Sequence, residues 1–355
     1  MEERRPKCLR DLIKGIRIPK FEEIRRKVLS IYNEPVPLQK GVRRRALVKY
    51  LIRIRRIRDY LNTTVFSQLD SLPKVEDMHE FYLELMRIGG VEDYGDVLSK
   101  LRSKKYVIEK LTREYLEHVR MSFDAAEAKK LTREYIGRVL SVFRRCRKQL
   151  DSLSYALNEL KRMPCIDMQL PKIVVAGMPQ VGKSTFVKAV STADPEVSPF
   201  PFTTKEIIVG HRLVNYEYIQ IIDTPGILDR PFSQLNNIER KALSALKHLA
   251  DVVIFLIDPY EGSYYSLDSQ INLLKSVTKY LINPEKVIVA INKIDLVKKE
   301  RMKYVESKIS EVFNGDIVVM SALRKVNVNE VINKALRKLQ LGGTYNGVRS
   351  KRENY

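Results

Sequence analysis

A glycine-rich segment ending in lysine and serine carries the most specific chemistry in this chain. Residues 177–184 read Gly-Met-Pro-Gln-Val-Gly-Lys-Ser and follow an apolar run, Lys172 to Ala176, that predicts a buried strand. A strand that ends in such a loop and opens into a helix points backbone N–H groups at one spot, where a polyphosphate can bind. The alternative, a glycine-bearing turn without a ligand, fits the strand and helix context less well. The predicted nucleotide ligands are Gly177, Pro179, Gln180, Val181, Gly182, Lys183, Ser184 and Thr185.

Lys183 and Ser184 have separate predicted roles within that loop. The lysine is placed to reach the β- and γ-phosphates, where it also acts in catalysis, and the serine hydroxyl is placed to bind Mg²⁺. Asp223-Thr224-Pro225-Gly226 follows another apolar run, Tyr218 to Ile222. Asp223 can hold Mg²⁺ through water, and the Gly226 N–H can meet the γ-phosphate during catalysis. This second segment is a candidate nucleotide-sensing switch.

The segment Asn292-Lys293-Ile294-Asp295 indicates which base the site prefers. It closes the apolar run from Lys286 to Ile291, so it lies at the carboxyl end of a predicted strand, where open α/β sheets bind ligands. A carboxylate at Asp295 can accept hydrogen bonds from guanine N1–H and its exocyclic amine, a donor pair that adenine lacks, which predicts GTP over ATP. Asn292 is expected to brace neighbouring loops, and the Lys293 stem to cover the base.

Two shorter segments complete the predicted site. Ser321-Ala322-Leu323 follows the run Ile317 to Met320 and could present backbone N–H groups to guanine O6. Pro199-Phe200-Pro201-Phe202-Thr203-Thr204-Lys205 lies about twenty residues after Ser184. A threonine here would complete the Mg²⁺ shell only when the γ-phosphate is present. From chemistry alone, either Thr203 or Thr204 would serve.

The chain resembles the nucleolar GTP-binding protein (Nog) branch of the Obg-like GTPases. The similar segments are 202–205 (Phe-Thr-Thr-Lys), 209–211 (Val-Gly-His), 223–229 (Asp-Thr-Pro-Gly-Ile-Leu-Asp) and, further upstream, 77–82 and 153–160. The resemblance implies that Thr204 is the functional threonine, a metal ligand and a catalytic residue. It also implies a GTPase that acts on the precursor of the large ribosomal subunit. Because this chain stops at Tyr355, it resembles an archaeal-type short form, expected in the cytoplasm; a eukaryotic member would be nucleolar.

The elements that must position these residues fall into two predicted domains. Residues 1–165 show apolar side chains at helical spacing and predict an all-α bundle, which ends in a helix from Leu140 to Leu160. Residues 166–341 alternate short apolar strands with helical stretches and predict an α/β P-loop GTPase domain. Six apolar runs predict a mostly parallel, six-stranded sheet. Residues 342–355 form a polar, basic tail that is expected to be disordered.

Composition and charge restrict the class of protein. The 355 residues carry a net charge of +21, and the first 58 hold 19 Lys/Arg against 6 Asp/Glu, a net of +13. Such a concentrated basic block indicates an anionic partner. Cys8, Cys146 and Cys165 show no metal or disulfide spacing and fit a reducing compartment. No apolar run approaches the length that crosses a membrane, so no membrane partner is expected.

An arginine-rich helix is the predicted RNA-binding element. Its apolar positions face the predicted bundle, so the guanidinium groups should project as a stripe that binds phosphate oxygens and stacks on bases. A charged surface without a ligand, or an acidic protein partner, is the alternative. The predicted RNA-binding residues are Arg43, Arg44, Arg45, Arg53, Arg55, Arg56 and Arg58.

Catalysis is predicted to be slow in the isolated protein. The position after Gly226 often holds a glutamine that orients the attacking water, and here it is Ile227, whose side chain cannot do so. Some related GTPases use K⁺ held partly by an asparagine three positions before the P-loop lysine. Here that residue is Gln180, one methylene longer, so K⁺ dependence is expected to be weak. A partner such as the ribosomal particle is expected to stimulate hydrolysis.

Three functions fit the sequence. The first is a GTP-dependent assembly factor for the large subunit that binds ribosomal RNA, works with other assembly factors and is monomeric when free. The second is an Obg-like, translation-associated GTPase that acts on mature ribosomes or tRNA. The third is a protein-interaction module that GTP regulates with little turnover.

Overall fold

The computed structural model forms two compact units. One contains Ile13–Met78 and Gly89–Asn158, and is called here the helical unit; the other contains Met1–Leu12, His79–Ile88 and Glu159–Tyr355, and is called the sheet unit. Each is considered separately below. The structure describes residues 8–37, 45–214, 217–223, 243, 245–280 and 282–341.

The helical unit buries one apolar stripe of each main helix. In the helix Tyr94–Met121 (α6), for example, Leu101, Ile108 and Tyr115 repeat at helical spacing and are buried. A π-helical segment, Leu61–Phe66, connects the helices Arg45–Tyr60 (α3) and Ser67–Asp70 (α4) without a break in the helical path. The described helices wholly or mainly in this unit are α2 (Phe21–Asn33), α3 (Arg45–Tyr60), α4 (Ser67–Asp70), α6 (Tyr94–Met121), α7 (Ala125–Arg145) and α8 (Arg147–Leu160).

Helices α6 and α7 form a long antiparallel pair with well-defined ends. Asp124 begins α7 by accepting a hydrogen bond from the Glu127 N–H, and Glu127 accepts one from the Phe123 N–H. The prediction of one helix from Leu140 to Leu160 is wrong at one position. The chain leaves helical geometry at Cys146, whose backbone N–H donates to the carbonyls of Phe143 and Arg144. A new helix, α8, begins at Arg147. The apolar periodicity continues through this break and therefore conceals it.

The sheet unit contains a seven-stranded sheet of order β2-β3-β4-β1-β5-β6-β7. The prediction of six strands is wrong because an edge strand, β2, pairs antiparallel with β3. Its sequence is Glu-Val-Ser-Pro and three of its four residues are exposed, so it lacks the apolar run by which the other six were predicted. The strands are β1 (Lys172–Ala176), β2 (Glu196–Pro199), β3 (Glu206–Val214), β4 (Glu217–Asp223), β5 (Val252–Ile257), β6 (Val287–Ile291) and β7 (Asp316–Val319).

Five neighbouring strands, β4, β1, β5, β6 and β7, run parallel, whereas β3 is antiparallel to β4. Their carboxyl ends therefore meet at one edge of the sheet, where the polar segments that follow them are brought together. The other described helices are α1 (Leu9–Ile13), α5 (Glu80–Ile88), α9 (Lys183–Val190), α10 (Leu267–Tyr280), α11 (Lys299–Ser310) and α12 (Val328–Leu341). None of the helices in the described ranges is long and apolar enough to cross a membrane.

The sheet unit includes segments that the sequence places among the helices of the other unit. The Tyr82 hydroxyl of α5 donates a buried hydrogen bond of 3.0 Å to the Ile166 carbonyl. Arg10 forms an ion pair of 2.6 Å with Glu196 on β2 and also reaches the Met163 carbonyl. These contacts explain why α5 and the residues before position 13 cluster with the sheet.

A disulfide joins Cys8 to Cys165, with their Cα atoms 5.4 Å apart. The prediction of three unpaired thiols is therefore wrong for these two residues, while Cys146 is free and buried. A separation of 157 residues cannot signal pairing from sequence, because only the folded chain brings Cys8 and Cys165, both in the sheet unit, together. The bond closes a loop of 157 residues along the chain.

We expect reduction of this disulfide to lower stability. A cross-link that closes a loop of this size restricts the unfolded chain, and typical effects are about 2–4 kcal/mol. Thermal unfolding of the oxidised protein with and without dithiothreitol measures the effect, and Cys165→Ser should abolish the dependence on reductant. Cys146→Ser, the matched control, should retain it. An equal melting temperature in both redox states would contradict this prediction.

Candidate functional site

The loop after β1 has the backbone geometry of a phosphate-binding loop. Gly177 and Gly182 have φ angles of 140° and 99°, a region that favours glycine. A Cβ on Gly177 would lie 2.6 Å from the Leu256 carbonyl oxygen, so the close approach to β5 requires glycine. Of the other predicted loop ligands, Val181 is buried, Pro179 is half-buried, and Gln180 (φ 65°) and Thr185 are exposed.

Lys183 holds this loop in shape. It is the first residue of α9, is buried, and donates hydrogen bonds from Nζ to the Gly177 carbonyl (2.9 Å) and the Met178 carbonyl (3.0 Å). Its ammonium group is thus kept at the mouth of the loop before any phosphate binds, which lowers the reorganisation needed on binding.

Ser184 and Asp223 are brought together from α9 and the end of β4. The Ser184 hydroxyl donates to Asp223 Oδ2 at 2.8 Å, and Asp223 is fully buried. Hydroxyl and carboxylate oxygens are the hard ligands that Mg²⁺ prefers, so this pair fits the predicted metal site. When bound, the ion would neutralise phosphate charge at this position.

Asn292 connects the phosphate loop with the predicted base loop. Its Nδ2 donates to the Val181 carbonyl (2.8 Å), and its Oδ1 accepts from the Ala322 N–H (2.8 Å). The side chain is buried, and a Cβ on Gly182 would lie 2.4 Å from Nδ2. The second glycine of the loop is thus needed to admit this amide. The predicted bracing role of Asn292 agrees with these contacts.

Lys293 is tethered by a residue that sequence reasoning missed. Its Nζ lies 2.6 Å from Oδ2 of Asp258, whose side chain is buried at the end of β5. The Asp258 backbone N–H and carbonyl both bond to the Gln270 side chain of α10. Lys293 itself has a φ of 59°. The tether fixes the direction of the lysine stem. The available signal was a carboxylate directly after the apolar run 252–257, the same placement that marked Asp223.

The residues predicted to read the base lie on the segments after β6 and β7. Asp295 is exposed in a short 3₁₀ turn, Ile294–Leu296. Ser321 and Ala322 are buried, with the Ser321 N–H donating to Val326 and the Ala322 N–H to Asn292, whereas Leu323 is exposed. The backbone N–H groups of Ser321 and Ala322 are therefore used in hydrogen bonds that hold the loop. Recognition of guanine O6 stays a prediction.

The two candidate threonines differ in what their hydroxyl groups do. Thr203 Oγ1 donates to the Phe200 carbonyl (2.9 Å) and accepts from the Lys205 N–H (3.1 Å), closing a turn over the buried Phe200 ring. Thr204 is exposed. Because the turn uses the Thr203 hydroxyl, Thr204 is the better placed of the two to sense a ligand. Gly226, the remaining predicted catalytic residue, and Ile227 lie outside the described residues.

The predicted arginine stripe is only partly present. Arg53 is 8% exposed, and its guanidinium packs over the rings of Tyr32 (4.9 Å) and Tyr50 (5.6 Å), which places it in the core rather than on the surface. Arg58 is half-buried and paired with Asp59 at 2.7 Å. Arg55 is exposed and Arg56 is half-exposed, so both remain candidates. Arg45 begins α3. Arg43 and Arg44 lie outside the described part of the chain.

The sheet unit is a P-loop GTPase domain. Three features define it: the strand order, the phosphate loop held by Lys183, and the Asn292 side chain that joins this loop to the loop after β7. The chain also contains the helical unit. Two family descriptions match the chain: the NOG1 N-terminal helical domain over residues 24–167, and nucleolar GTP-binding protein 1 (NOG1) over residues 237–295. The chain therefore belongs to the NOG1 family, whose name describes GTP-binding proteins.

Individual relatives agree with this assignment. An uncharacterised protein of Methanocaldococcus jannaschii is 36% identical over 71% of this chain and 70% of its own length. Nucleolar GTP-binding protein 1 of Drosophila melanogaster is 33% identical over 76% of this chain, and that of Saccharomyces cerevisiae is 32% identical over 79%. The matches span only 42% and 44% of those two longer proteins.

We expect Asn292→Ala to weaken nucleotide binding about 10- to 100-fold. The change leaves a buried carbonyl and a buried N–H without their partner, at about 1–3 kcal/mol each, and loosens both loops at once. Titration with a fluorescent GTP analogue measures the affinity, and thermal unfolding reports the stability. Asn329→Ala, an exposed amide elsewhere in the sheet unit, is the control. An affinity within twofold of the wild type would contradict the bracing role.

Proposed function

We propose that this protein binds GTP with Mg²⁺, hydrolyses it slowly, and serves as an assembly factor for the large ribosomal subunit. The Asn292 brace is the observation that carries the nucleotide part, because it joins the phosphate loop to the loop that would hold the base. Ser184 and Asp223 would hold the ion. The family assignment supports GTP as the ligand.

Slow hydrolysis follows from the residues present. Lys183 and the loop N–H groups can stabilise charge on the phosphates, and Thr204 can join the ion when the γ-phosphate is bound. Ile227 supplies no group to orient the attacking water. Burial lowers the pKa of His211, which makes this imidazole a weaker proton acceptor. A partner that supplies the missing group, for which the ribosomal particle is our candidate, would raise the rate.

The basic charge of the helical unit supports RNA as the partner. The exposed guanidinium of Arg55 and the half-exposed one of Arg56 lie on α3, within the most basic part of the chain. Arginine binds phosphate oxygens bidentately and stacks on exposed bases, which suits structured RNA. The nucleotide state would then time binding and release. We propose that this activity takes place in the cytoplasm, where a disulfide such as Cys8–Cys165 is uncommon, and that the protein is monomeric when free.

Asp295→Asn should shift nucleotide preference from GTP toward XTP. The carboxylate makes charge-assisted hydrogen bonds worth about 1.5–3 kcal/mol each, and an amide at this position matches the xanthine edge instead. Competition binding with GTP, ATP and XTP tests this, with Asp268→Asn as a control on α10. Equal binding of GTP and ATP by the wild type would exclude guanine selection by this segment.

On sucrose gradients we expect the protein to co-sediment with precursor large subunits in its GTP-bound state. Sedimentation with mature particles would favour the translation-associated function, and sedimentation with neither would favour an interaction module. Arg55→Ala with Arg56→Ala should weaken binding to ribosomal RNA and reduce the salt slope by about 0.7–0.9 per lost phosphate contact. Lys129→Ala with Lys130→Ala is the control pair from exposed positions on α7. An unchanged slope in the arginine variant would contradict this contact.

A further inference from the structure

A cleft in the helical unit, separate from the arginine helix, is lined by positive charge. It has a volume of about 390 Å³ and lies between α6 and the junction of α7 with α8. Lys100 and Lys104 line it from α6, and Arg145 lines it from the last turn of α7. The break at Cys146 ends α7 here, so the junction itself forms one wall.

The charges of this cleft are not neutralised by its own walls. No carboxylate is among the lining residues. Lys100 pairs with Asp96 at 2.5 Å, but neither Lys104 nor Arg145 forms an ion pair with any residue that the structure describes. Lys100 and Lys104 are also four residues apart on one helix, a spacing at which like charges repel. An anion bound between Lys104 and Arg145 would neutralise the two charges that have no ion pair among the described residues.

The rest of the lining suits more than a bare anion. Val107 and Val142 provide apolar walls, and Gln149 contributes an amide. The Gln149 Oε1 atom is buried and has no hydrogen-bond partner within the described ranges. The terminal torsion of glutamine is broad, so a modest rotation could turn this oxygen toward a donor in the cleft. A ligand with a phosphate, an apolar face and a hydroxyl or amine donor would satisfy all of these groups.

We propose that this cleft is a binding subsite for a single nucleotide of an RNA strand. The phosphate binds Lys104 and Arg145, the sugar or base packs on Val107 and Val142, and a ribose hydroxyl or base amine donates to Gln149. The volume is within the range of small-ligand pockets. The subsite rests on the proposed RNA-binding function. It adds a contact with RNA that lies in this cleft and not on α3. An acidic peptide would supply charge but no rigid, flat group for the apolar walls.

Cys146 offers a direct report on occupancy. It lines the cleft, is 8% exposed, and is the one free cysteine of the described chain, since Cys8 and Cys165 are joined. RNA in the cleft should slow the alkylation of Cys146 by iodoacetamide at least threefold, measured by mass spectrometry of the peptide that carries it. Inorganic phosphate at the same phosphate concentration should protect much less, because it lacks the group that covers the apolar walls.

The full-length protein with Lys104→Ala and Arg145→Ala should bind single-stranded ribosomal RNA segments about tenfold more weakly. The salt slope should fall by about one, GTP affinity should be unchanged, and Cys146 protection should be lost. Lys110→Ala with Arg113→Ala, exposed on α6 outside the cleft, is the matched control. Thermal unfolding checks that both variants fold.

Different results separate this inference from the wider proposal. RNA binding with no protection of Cys146 would overturn the subsite and leave RNA binding by the protein intact. Absence of RNA binding by the wild type would overturn both. Equal protection by phosphate alone would show an anion site without nucleotide recognition, and protection by an acidic phosphopeptide but not RNA would assign the cleft to a protein partner; each result overturns the proposal.

Discussion

The buried side chain of Asn292 is the interaction on which the nucleotide site depends. One amide group donates to the Val181 carbonyl and accepts from the Ala322 N–H, so a single residue sets the distance between the phosphate loop and the loop after β7. Asn292 also restricts which residue can occupy an earlier position in the chain. Gly182 must be glycine because a Cβ would meet Asn292 Nδ2, and the parallel order of β1, β5 and β6 is needed to bring these segments side by side.

Two lysine side chains of the site are also held in place by polar partners. Lys183 bonds to carbonyls of its own loop, and Lys293 bonds to the buried carboxylate of Asp258. Without these hydrogen bonds, both long side chains would lose rotamer freedom when a nucleotide binds. Because the folded protein already holds them, this entropy is lost during folding instead. The described part of the site is therefore built for binding. The segment after Asp223, which carries Gly226 and Ile227, lies outside the described residues.

The helical unit shows that basic composition alone does not define a nucleic-acid surface. Arg53 belongs to the same helix as Arg55, yet its guanidinium packs against the rings of Tyr32 and Tyr50 and is buried. Arg58 is paired with its neighbour Asp59. By contrast, Lys104 and Arg145, which are distant in sequence, face one cleft without a neutralising carboxylate in its lining. Positive charge that stays unpaired after folding, rather than the count of arginines, is therefore the better guide to a surface for an anionic partner.

The amino-acid sequence by itself determined the strand that precedes the phosphate loop and the order of the predicted nucleotide-binding segments, and it predicts a preference for a guanine base. These properties are local: a five-residue apolar run, a glycine pattern and a carboxylate after a strand act through neighbouring atoms. The tertiary structure alone decided the edge strand β2, the helix break at Cys146, the Asp258 tether, the Cys8–Cys165 disulfide and the burial of Arg53. Each of these depends on which residues, often distant in the chain, come into contact in the folded protein. Apolar periodicity contains no information about which distant group becomes a partner.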